Sequence, residues 1–219
     1  MSYNIAIDGP AGAGKSTIAR AAAGKMNLIY VDTGAMYRAM ALFMVREGVD
    51  LQDEPAIIRK CHEADITIRY EDGMQAVFLN GENVNAYLRT EEVSYAASMV
   101  SVIPEVRERF VELQRRLAAE SDCIMDGRDI GTCVLPDADR KIYLTASSAV
   151  RARRRYDELT AKGENCDLEK IREDIEERDY RDMHRETSPL RQAEDAVLVD
   201  TSDMTVEEVI DRILSICAR

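Results

Sequence analysis

Positively charged residues are fewer than negatively charged ones in this chain. Its 219 residues include 29 lysines and arginines against 41 aspartates and glutamates, which gives a net charge of −12. A protein that binds nucleic acid regardless of its sequence needs a basic face, because much of its binding free energy comes from releasing the cations around the phosphates. We therefore predict no nucleic-acid partner, and we expect any arginine cluster to serve a local purpose.

The sequence also lacks the patterns of disulfide-bonded, zinc-binding and membrane-spanning proteins. Its five cysteines are odd in number and widely spaced, with no C-x-x-C pair, so we predict neither a disulfide framework nor a zinc knuckle. The two histidines, His62 and His184, stand outside any metal-ligand spacing. No apolar run approaches 18 residues, and no basic stretch precedes a long apolar one at the N-terminus. We expect a cytoplasmic protein with reduced thiols and no membrane partner.

What the sequence does contain is a phosphate-binding pattern between a predicted strand and a predicted helix. An apolar run ends at Asp8, and residues 16–25 are mostly good helix formers. The intervening GPAGAGKS matches G-x-x-x-x-G-K-[ST], whose backbone N–H groups surround phosphates. A plain glycine-rich turn is the alternative, but the full pattern in this context favours a triphosphate. We predict that it is held by Gly9, Pro10, Ala11, Gly12, Ala13, Gly14, Lys15, Ser16 and Thr17.

Two side chains of this loop have predicted chemical roles. Lys15 is expected to reach the β- and γ-phosphates as a compact positive charge. The Ser16 hydroxyl is expected to join the coordination shell of a Mg²⁺ ion that also touches those phosphates. ATP with Mg²⁺ is therefore the predicted donor, and Ser16 is the predicted metal ligand.

The order of the remaining elements predicts an α/β fold. Strand-like runs alternate with helical patterns, which is typical of a parallel sheet flanked by helices. The predicted strands are 5–8, 28–31, 123–126, 141–144 and 196–199. Asp32-Thr33-Gly34 and Asp126-Gly127-Arg128-Asp129 follow two of them, and ligands of such sheets bind beyond the carboxyl ends of the strands. We expect both segments to line the same crevice as the phosphate loop.

Two regions depart from this alternation. Residues 35–47 predict a helix, and residues 65–84 alternate apolar and polar side chains with turns at Asp72-Gly73 and Asn80-Gly81, as in an antiparallel meander. Residues 104–119 predict a further helix, which begins at Pro104. Later, one helix is predicted from Ser147 or Ser148 to Lys162 and another over residues 167–184. Both are rich in arginine, so the pair suits a mobile flap over an anion.

The arginines point to phosphoryl transfer, which needs positive charge around the migrating group. Arg178, Arg181 and Arg185 share one face of the predicted helix, although such charge runs often only face solvent. At the end of a strand, Arg128 suits an acceptor phosphate and Asp129 an amino group, although a generic turn also has this sequence. The N-K-x-D and D-x-x-G patterns of regulatory GTPases are absent. A nucleotide-dependent switch and an acidic structural module with a vestigial loop remain alternatives to a kinase.

Several segments, taken in order, carry a family resemblance over nearly the whole chain. They are DGPAGAGKST, DTGAMYR, LRTEEVSYAAS, VRE at residues 106–108, DGRDIGT, KIYLTASS and ERDYRDMHR. In this set the chain closely resembles bacterial-type cytidylate kinases, the nucleoside monophosphate kinases that move the γ-phosphoryl group of ATP to CMP or dCMP. Thr33 stands where most of those proteins carry serine, which keeps the hydroxyl group.

The resemblance implies a role for each matching residue. The positions around the cytosine are Thr33, Arg107, Asp129 and Arg185. Those that hold the acceptor phosphate are Arg38 and Arg128, and those that face the sugar are Ser98 and Asp182. Arg178 and Arg181 match the positions that meet the transferring group when the lid closes. Together with Lys15 and Arg128 they form the predicted catalytic set.

The resemblance also implies an organisation. Residues 1–219 form one P-loop kinase domain, within which residues 34–103 are the monophosphate-binding insertion and residues 151–170 the lid. Nothing in the sequence demands more than a monomer. A kinase of another nucleotide, or of a small metabolite, remains the alternative activity.

Overall fold

A computed structural model describes residues 2–71 and 73–218, in which the chain forms eight strands and eight α-helices. The strands are β1 (Asn4–Asp8), β2 (Ile29–Asp32), β3 (Ile66–Glu71), β4 (Met74–Leu79), β5 (Glu82–Asn83), β6 (Cys123–Gly127), β7 (Arg140–Thr145) and β8 (Val197–Asp200). The helices are α1 (Lys15–Met26), α2 (Thr33–Arg46), α3 (Glu54–Cys61), α4 (Glu91–Val100), α5 (Pro104–Glu120), α6 (Ser148–Ala161), α7 (Leu168–His184) and α8 (Val206–Cys217). A π-helical turn, Ile130–Val134, follows β6.

Five of the strands form a parallel sheet with helices on both faces, as predicted. The order across it is β2-β6-β1-β7-β8, and each neighbouring pair is parallel. Successive side chains of a strand point to opposite faces, and β1 shows this alternation. Ile5 and Ile7 pack with residues of α1 and α8, whereas Ala6 packs with α2 and α5. The sheet therefore separates two apolar cores.

The second sheet is small and antiparallel, in the order β3-β4-β5. It confirms the predicted meander. Asn80 and Gly81 both have positive φ, 50° and 84°, which the tight turn between β4 and β5 requires. Of the other predicted turn, Gly73 has φ +75° and Asp72 lies outside the described residues. The apolar core that contains the side chains of α2 also contains side chains of this small sheet and of the parallel sheet. Residues 34–103 therefore share one apolar core with the parallel sheet.

The parallel register brings the site together. Asp32 at the end of β2 is level with Asp126 in β6, and Asp8 at the end of β1 is level with Gly127. The segments that follow these three strands therefore leave the sheet at one edge, which confirms the expected convergence.

The sequence analysis missed four elements. They are α3, α4, α8 and the π-helical turn after β6. The predicted strands and helices fall within two residues of the observed ones. Within the described part of the chain, no helix has the length and apolar character needed to cross a bilayer.

The approach of β1 to β7 yields a test of the fold. A Cβ on Gly9, which has φ +150°, would lie 1.9 Å from the backbone oxygen of Leu144 in β7. We expect Gly9→Ala to lower the free energy of unfolding by at least about 3 kcal/mol, because backbone cannot move aside cheaply. Denaturant unfolding measures this. Gly24→Ala, on the exposed side of α1 with open space around it, is the control and should gain about 0.5–1 kcal/mol. Equal stability of wild type and Gly9→Ala would contradict this packing.

Candidate active site

A cavity of about 670 Å³ lies at the carboxyl edge of the parallel sheet. It brings together most residues that the sequence analysis singled out. Those lining it are Ala11, Gly12, Ala13, Gly14, Lys15, Ser16, Thr17, Thr33, Arg38, Ser98, Arg107, Arg128, Asp129, Arg178, Asp182 and Arg185. Gly9, Pro10 and Arg181 lie outside its lining. Gly9 and Pro10 are buried behind the loop.

The phosphate loop has the backbone shape that its glycines permit. Gly12 and Gly14 have φ of +73° and +85°, a region that side chains with a Cβ rarely adopt. Gly14 is the N-cap of α1, and no side chain caps that helix end. The N–H groups of the first turn are therefore available to a ligand, and the helix dipole adds positive potential where they point.

Lys15 is the first residue of α1 and is almost completely buried. Its Nζ donates a hydrogen bond of 2.7 Å to the backbone oxygen of Pro10. Burial lowers the pKa of Lys15, and the nearby charge of Arg128 lowers it further. A bound anion would relieve both effects, because it would compensate the charge that burial disfavours.

Ser16 faces a buried carboxylate at the end of β6. Its hydroxyl donates to Asp126 Oδ2 at 2.9 Å, and the Tyr30 hydroxyl donates to Asp126 Oδ1 at 2.9 Å. Burial and the neighbouring charge of Asp32 raise the pKa of Asp126 to about 6. These hydroxyl and carboxylate oxygens suit Mg²⁺, which typically takes one or two carboxylates together with substrate phosphates. Sequence reasoning did not single out Asp126 as part of such a group, although its position at the end of a strand was a usable signal.

A chain of alternating charges forms the other end of the cavity. Arg107 pairs with Asp129 in a short contact, and Arg185 Nη2 lies 3.5 Å from Asp129 Oδ1. Arg185 Nη1 also approaches Asp182 Oδ1 at 4.0 Å, and Arg128 Nε donates to Asp182 Oδ2 at 2.8 Å. These five residues come from α5, from α7 with the residue after it, and from the segment after β6. The network therefore fixes a buried carboxylate acceptor, Asp129, between two guanidinium groups.

Three further arginines have a hydrogen-bond donor that no described residue satisfies. The Nε atoms of Arg38, Arg178 and Arg181 are buried without a hydrogen-bond partner. Burial lowers the pKa of Arg178 to about 10, and the charges of Arg128, Arg38 and Arg181 add to this effect. The charge of Asp182 opposes this lowering, while Asp32 accepts contacts of 3.2 and 3.0 Å from Arg38 Nη2. A cluster of this kind favours an anion with several acceptor oxygens.

Arg181 is placed less directly than predicted. It lies on α7 one turn from Arg178, but its Nη1 contacts Met99 Sδ at 3.9 Å and its Nη2 lies 3.7 Å from Glu177. In this arrangement Arg181 does not line the cavity. Its charge nevertheless contributes to lowering the pKa of Arg178, which does line it.

Thr33, Tyr37 and Ser98 also line the cavity. The Thr33 hydroxyl donates to the backbone oxygen of Asp126 at 2.7 Å. The Tyr37 ring lies 5.6 Å from the Arg107 guanidinium and packs edge-on against Phe110. Sequence reasoning did not single out Tyr37, although it follows Thr33 by about one helical turn, which places both on one face.

Sequence reasoning also missed the far side of the phosphate loop. Arg151, Arg154, Thr201 and Val206 line the same cavity there. Arg154 donates to the backbone oxygen of Thr201 at 2.7 Å and to its hydroxyl at 3.1 Å. The arginine run in α6 was visible in the sequence, but nothing local indicated which of its members turn inward.

Asp8, at the end of β1, supports the segment that carries Arg128 and Asp129. Its two carboxylate oxygens accept hydrogen bonds from the backbone N–H groups of Ile130 and Gly131, at 2.8 and 2.7 Å. Burial raises the pKa of Asp8 to about 6, and the charge of Asp129 adds to the rise while the two backbone donors and Lys15 oppose it. Asp8 therefore joins β1, which leads into the phosphate loop, to the segment that follows β6.

The raised pKa gives a pH-dependent prediction. The native state keeps the Asp8 proton up to about pH 6, whereas the unfolded chain releases it near 3.8. Folding then takes up a proton between these values, so this group's contribution to stability falls as pH rises through the window and is constant above it. In urea unfolding, the stability of wild type minus that of Asp8→Asn should fall by about 2 kcal/mol from pH 4 to pH 7. A difference independent of pH would contradict this environment for Asp8.

The comparisons with known proteins agree with this geometry. A sequence model described as cytidylate kinase matches residues 5–219. A curated cytidylate kinase of Lactobacillus johnsonii is 50% identical, covering 97% of this chain and 92% of that protein. One of Caldicellulosiruptor bescii is 49% identical over 97% of this chain and 94% of that protein.

Solved structures support the fold alone. A gluconokinase from Sinorhizobium meliloti superposes with a TM-score of 0.52 at 14% identity, covering 99% of this chain and 92% of that one. An uncharacterized protein from Eubacterium ventriosum superposes with a TM-score of 0.54 at 12% identity, covering 100% of both chains.

Proposed function

The chain belongs to the cytidylate kinase family, and from that premise we propose that it transfers the γ-phosphoryl group of ATP directly to CMP or dCMP. The observation that carries this proposal is the composition of the cavity. A phosphate loop occupies one end, a carboxylate held between two arginines occupies the other, and arginines with unpartnered Nε atoms lie near both.

At the donor end, the phosphates of ATP bind along residues 9–17. Lys15 leaves its contact with Pro10 to reach the β- and γ-phosphates, which replaces one acceptor by a stronger, charged one. Ser16 and Asp126 would hold Mg²⁺ there, and the ion would neutralise charge on the phosphates when bound.

At the acceptor end, Arg38 and Arg128 hold the phosphate of CMP, while Ser98 and Asp182 face its sugar. Arg107 and Arg185 keep the Asp129 carboxylate in place as an acceptor-only group. Such a group accepts a hydrogen bond from the exocyclic amino group of cytosine. It would face a carbonyl oxygen in uracil, which disfavours UMP because both groups are acceptors. Thr33 lines the same region.

The transfer itself needs positioning and charge more than proton removal. A nucleotide phosphate is already largely ionised at neutral pH, so no strong general base is required. Lys15, Arg128, Arg178 and Arg181 stabilise the charge that spreads over the migrating group. Closure of the predicted lid, residues 151–170, excludes water and so protects ATP from hydrolysis. This lid comprises most of α6, the segment after it and the start of α7.

The other expectations remain proposals. We take residues 34–103 as the acceptor-binding insertion, and the protein as a cytoplasmic monomer. All five cysteines are free, which suits a reducing compartment. A kinase with another small acceptor is the second candidate, because a phosphate loop does not by itself select the acceptor.

The direct test is a panel of acceptors. With ATP and Mg²⁺, CMP and dCMP should support release of ADP, and UMP, AMP and GMP should do so at least about tenfold less well. Asp129→Ala should lower kcat/KM for CMP by about 100-fold, because it removes the base acceptor and leaves two buried arginines unpaired. The KM for ATP should change by less than about threefold, since the donor binds elsewhere in the cavity.

Asp137→Ala is the matched control, because this exposed aspartate follows the π-helical turn and lies outside the cavity lining. Its kinetics should equal those of the wild type. An equal loss for both substrates in Asp129→Ala would reject its role in reading the base. A preference for a non-nucleotide acceptor would reject the proposed reaction.

A further inference from the structure

We infer that the buried ion pair between Arg151 and Asp179 couples the two nucleotide-binding ends of the cavity, an inference that rests on the proposed function. Arg151 lies on α6 and Asp179 on α7. Arg151 Nη2 and Asp179 Oδ2 are 2.6 Å apart, with only 6% and 11% of their side chains exposed. These are positioning residues, because they act through the phosphate loop and not on the reacting atoms.

Both members of the pair also bind the phosphate loop. Arg151 Nη1 donates to the backbone oxygen of Ala11 at 2.7 Å, and the backbone N–H of Ala11 donates to Asp179 Oδ1 at 3.3 Å. One loop residue thus has both of its backbone polar groups satisfied by the pair. A Cβ on Gly12 would lie 3.4 Å from Arg151 Cβ, so the helix also packs closely on the loop. The part of the phosphate loop at Ala11 and Gly12 therefore cannot move independently of α6 and α7.

Helix α7 carries the connection to the acceptor end. Arg178 precedes Asp179, and Asp182 follows it by three residues, so all three lie within one helical turn. Asp182 accepts the 2.8 Å hydrogen bond from Arg128, and Arg178 lines the cavity between the two ends. The same rigid turn of α7 is therefore attached to the donor loop at Asp179 and to the acceptor loop at Asp182.

This arrangement implies reciprocal coupling. A donor nucleotide that favours the docked state of loop and helices also favours the placement of Asp182 and Arg178 around the acceptor. By linkage, CMP must then tighten the binding of ATP by the same factor. If the pair only stabilised the fold, removing it would lower the free energy of unfolding without changing this factor. The other ion pairs within α6, such as Arg153–Asp157, are exposed and join residues of one helix, so they offer no such connection.

The experiment measures the dissociation constant of a non-hydrolysable ATP analogue by calorimetry, without CMP and with saturating CMP. In the wild type, CMP should tighten binding at least about fivefold. In Asp179→Asn, which keeps the side-chain shape but removes the charge, this ratio should fall to within about twofold of unity. Arg151 also donates through Nε to the backbone oxygen of Ala146 at 2.9 Å. Arg151→Lys keeps the charge but cannot reach Ala11, Ala146 and Asp179 together, so it should give an intermediate ratio. If Asp179→Asn fails to fold, the ratio measured for Arg151→Lys tests the coupling in its place.

Asp157→Asn, in the exposed pair of α6, is the control and should keep the wild-type ratio. A wild-type ratio in Asp179→Asn, or a ratio of one in a wild type that binds both ligands, would overturn the coupling and leave the proposed function intact. Failure of the wild type to bind CMP at all would overturn the proposed function and this inference with it.

Discussion

Clustered and largely buried positive charge, which nearby carboxylates neutralise only in part, is the constraint on which this site depends. The charges of Arg38, Arg128 and Arg181 lie close enough to lower the pKa of Arg178, and Asp182 opposes this effect only in part. Asp32 and Asp182 pair with Arg38 and Arg128. Taking such charges out of water is costly unless they are paired. The structure tolerates the cost because the parallel sheet and the packed helices fix the positions of the groups. A phosphate that enters the cavity meets donors already in place, which is the condition for electrostatic stabilisation of phosphoryl transfer.

The two ends of the cavity use their charged groups in different ways. At the donor end, main-chain N–H groups and Lys15 form an anion site that is indifferent to the base. At the acceptor end, Arg107 and Arg185 both form ion pairs with Asp129, so the group proposed to bind the base is a carboxylate. Asp8 connects the ends through the backbone of the acceptor loop, and the Arg151–Asp179 pair connects them through α7. Positioning groups therefore surround the reacting ones.

The parts of this account that the sequence predicts are those encoded locally. The phosphate loop, the five parallel strands and the turn at Asn80-Gly81 each depend on neighbouring residues with fixed conformational preferences. Some local signals were present but not used. Helix α8 begins with a capping box between Thr205 and Glu208, and α4 begins with Thr90 as its cap. The contacts between distant residues could not be predicted without the family resemblance. The burial of Arg107 depends on Asp129 in another element, and the pairing of Arg151 with Asp179 depends on how two helices pack.

The central claim is that one cavity holds both nucleotides at once, with their phosphates meeting between the phosphate loop and the arginines. Calorimetry with a single compound that joins adenosine and cytidine through a chain of phosphates tests this most directly. The account predicts that one equivalent binds and prevents the binding of both ATP and CMP. If either nucleotide still bound with unchanged affinity to the protein saturated with this compound, the two sites would not be parts of one cavity and the account would be wrong.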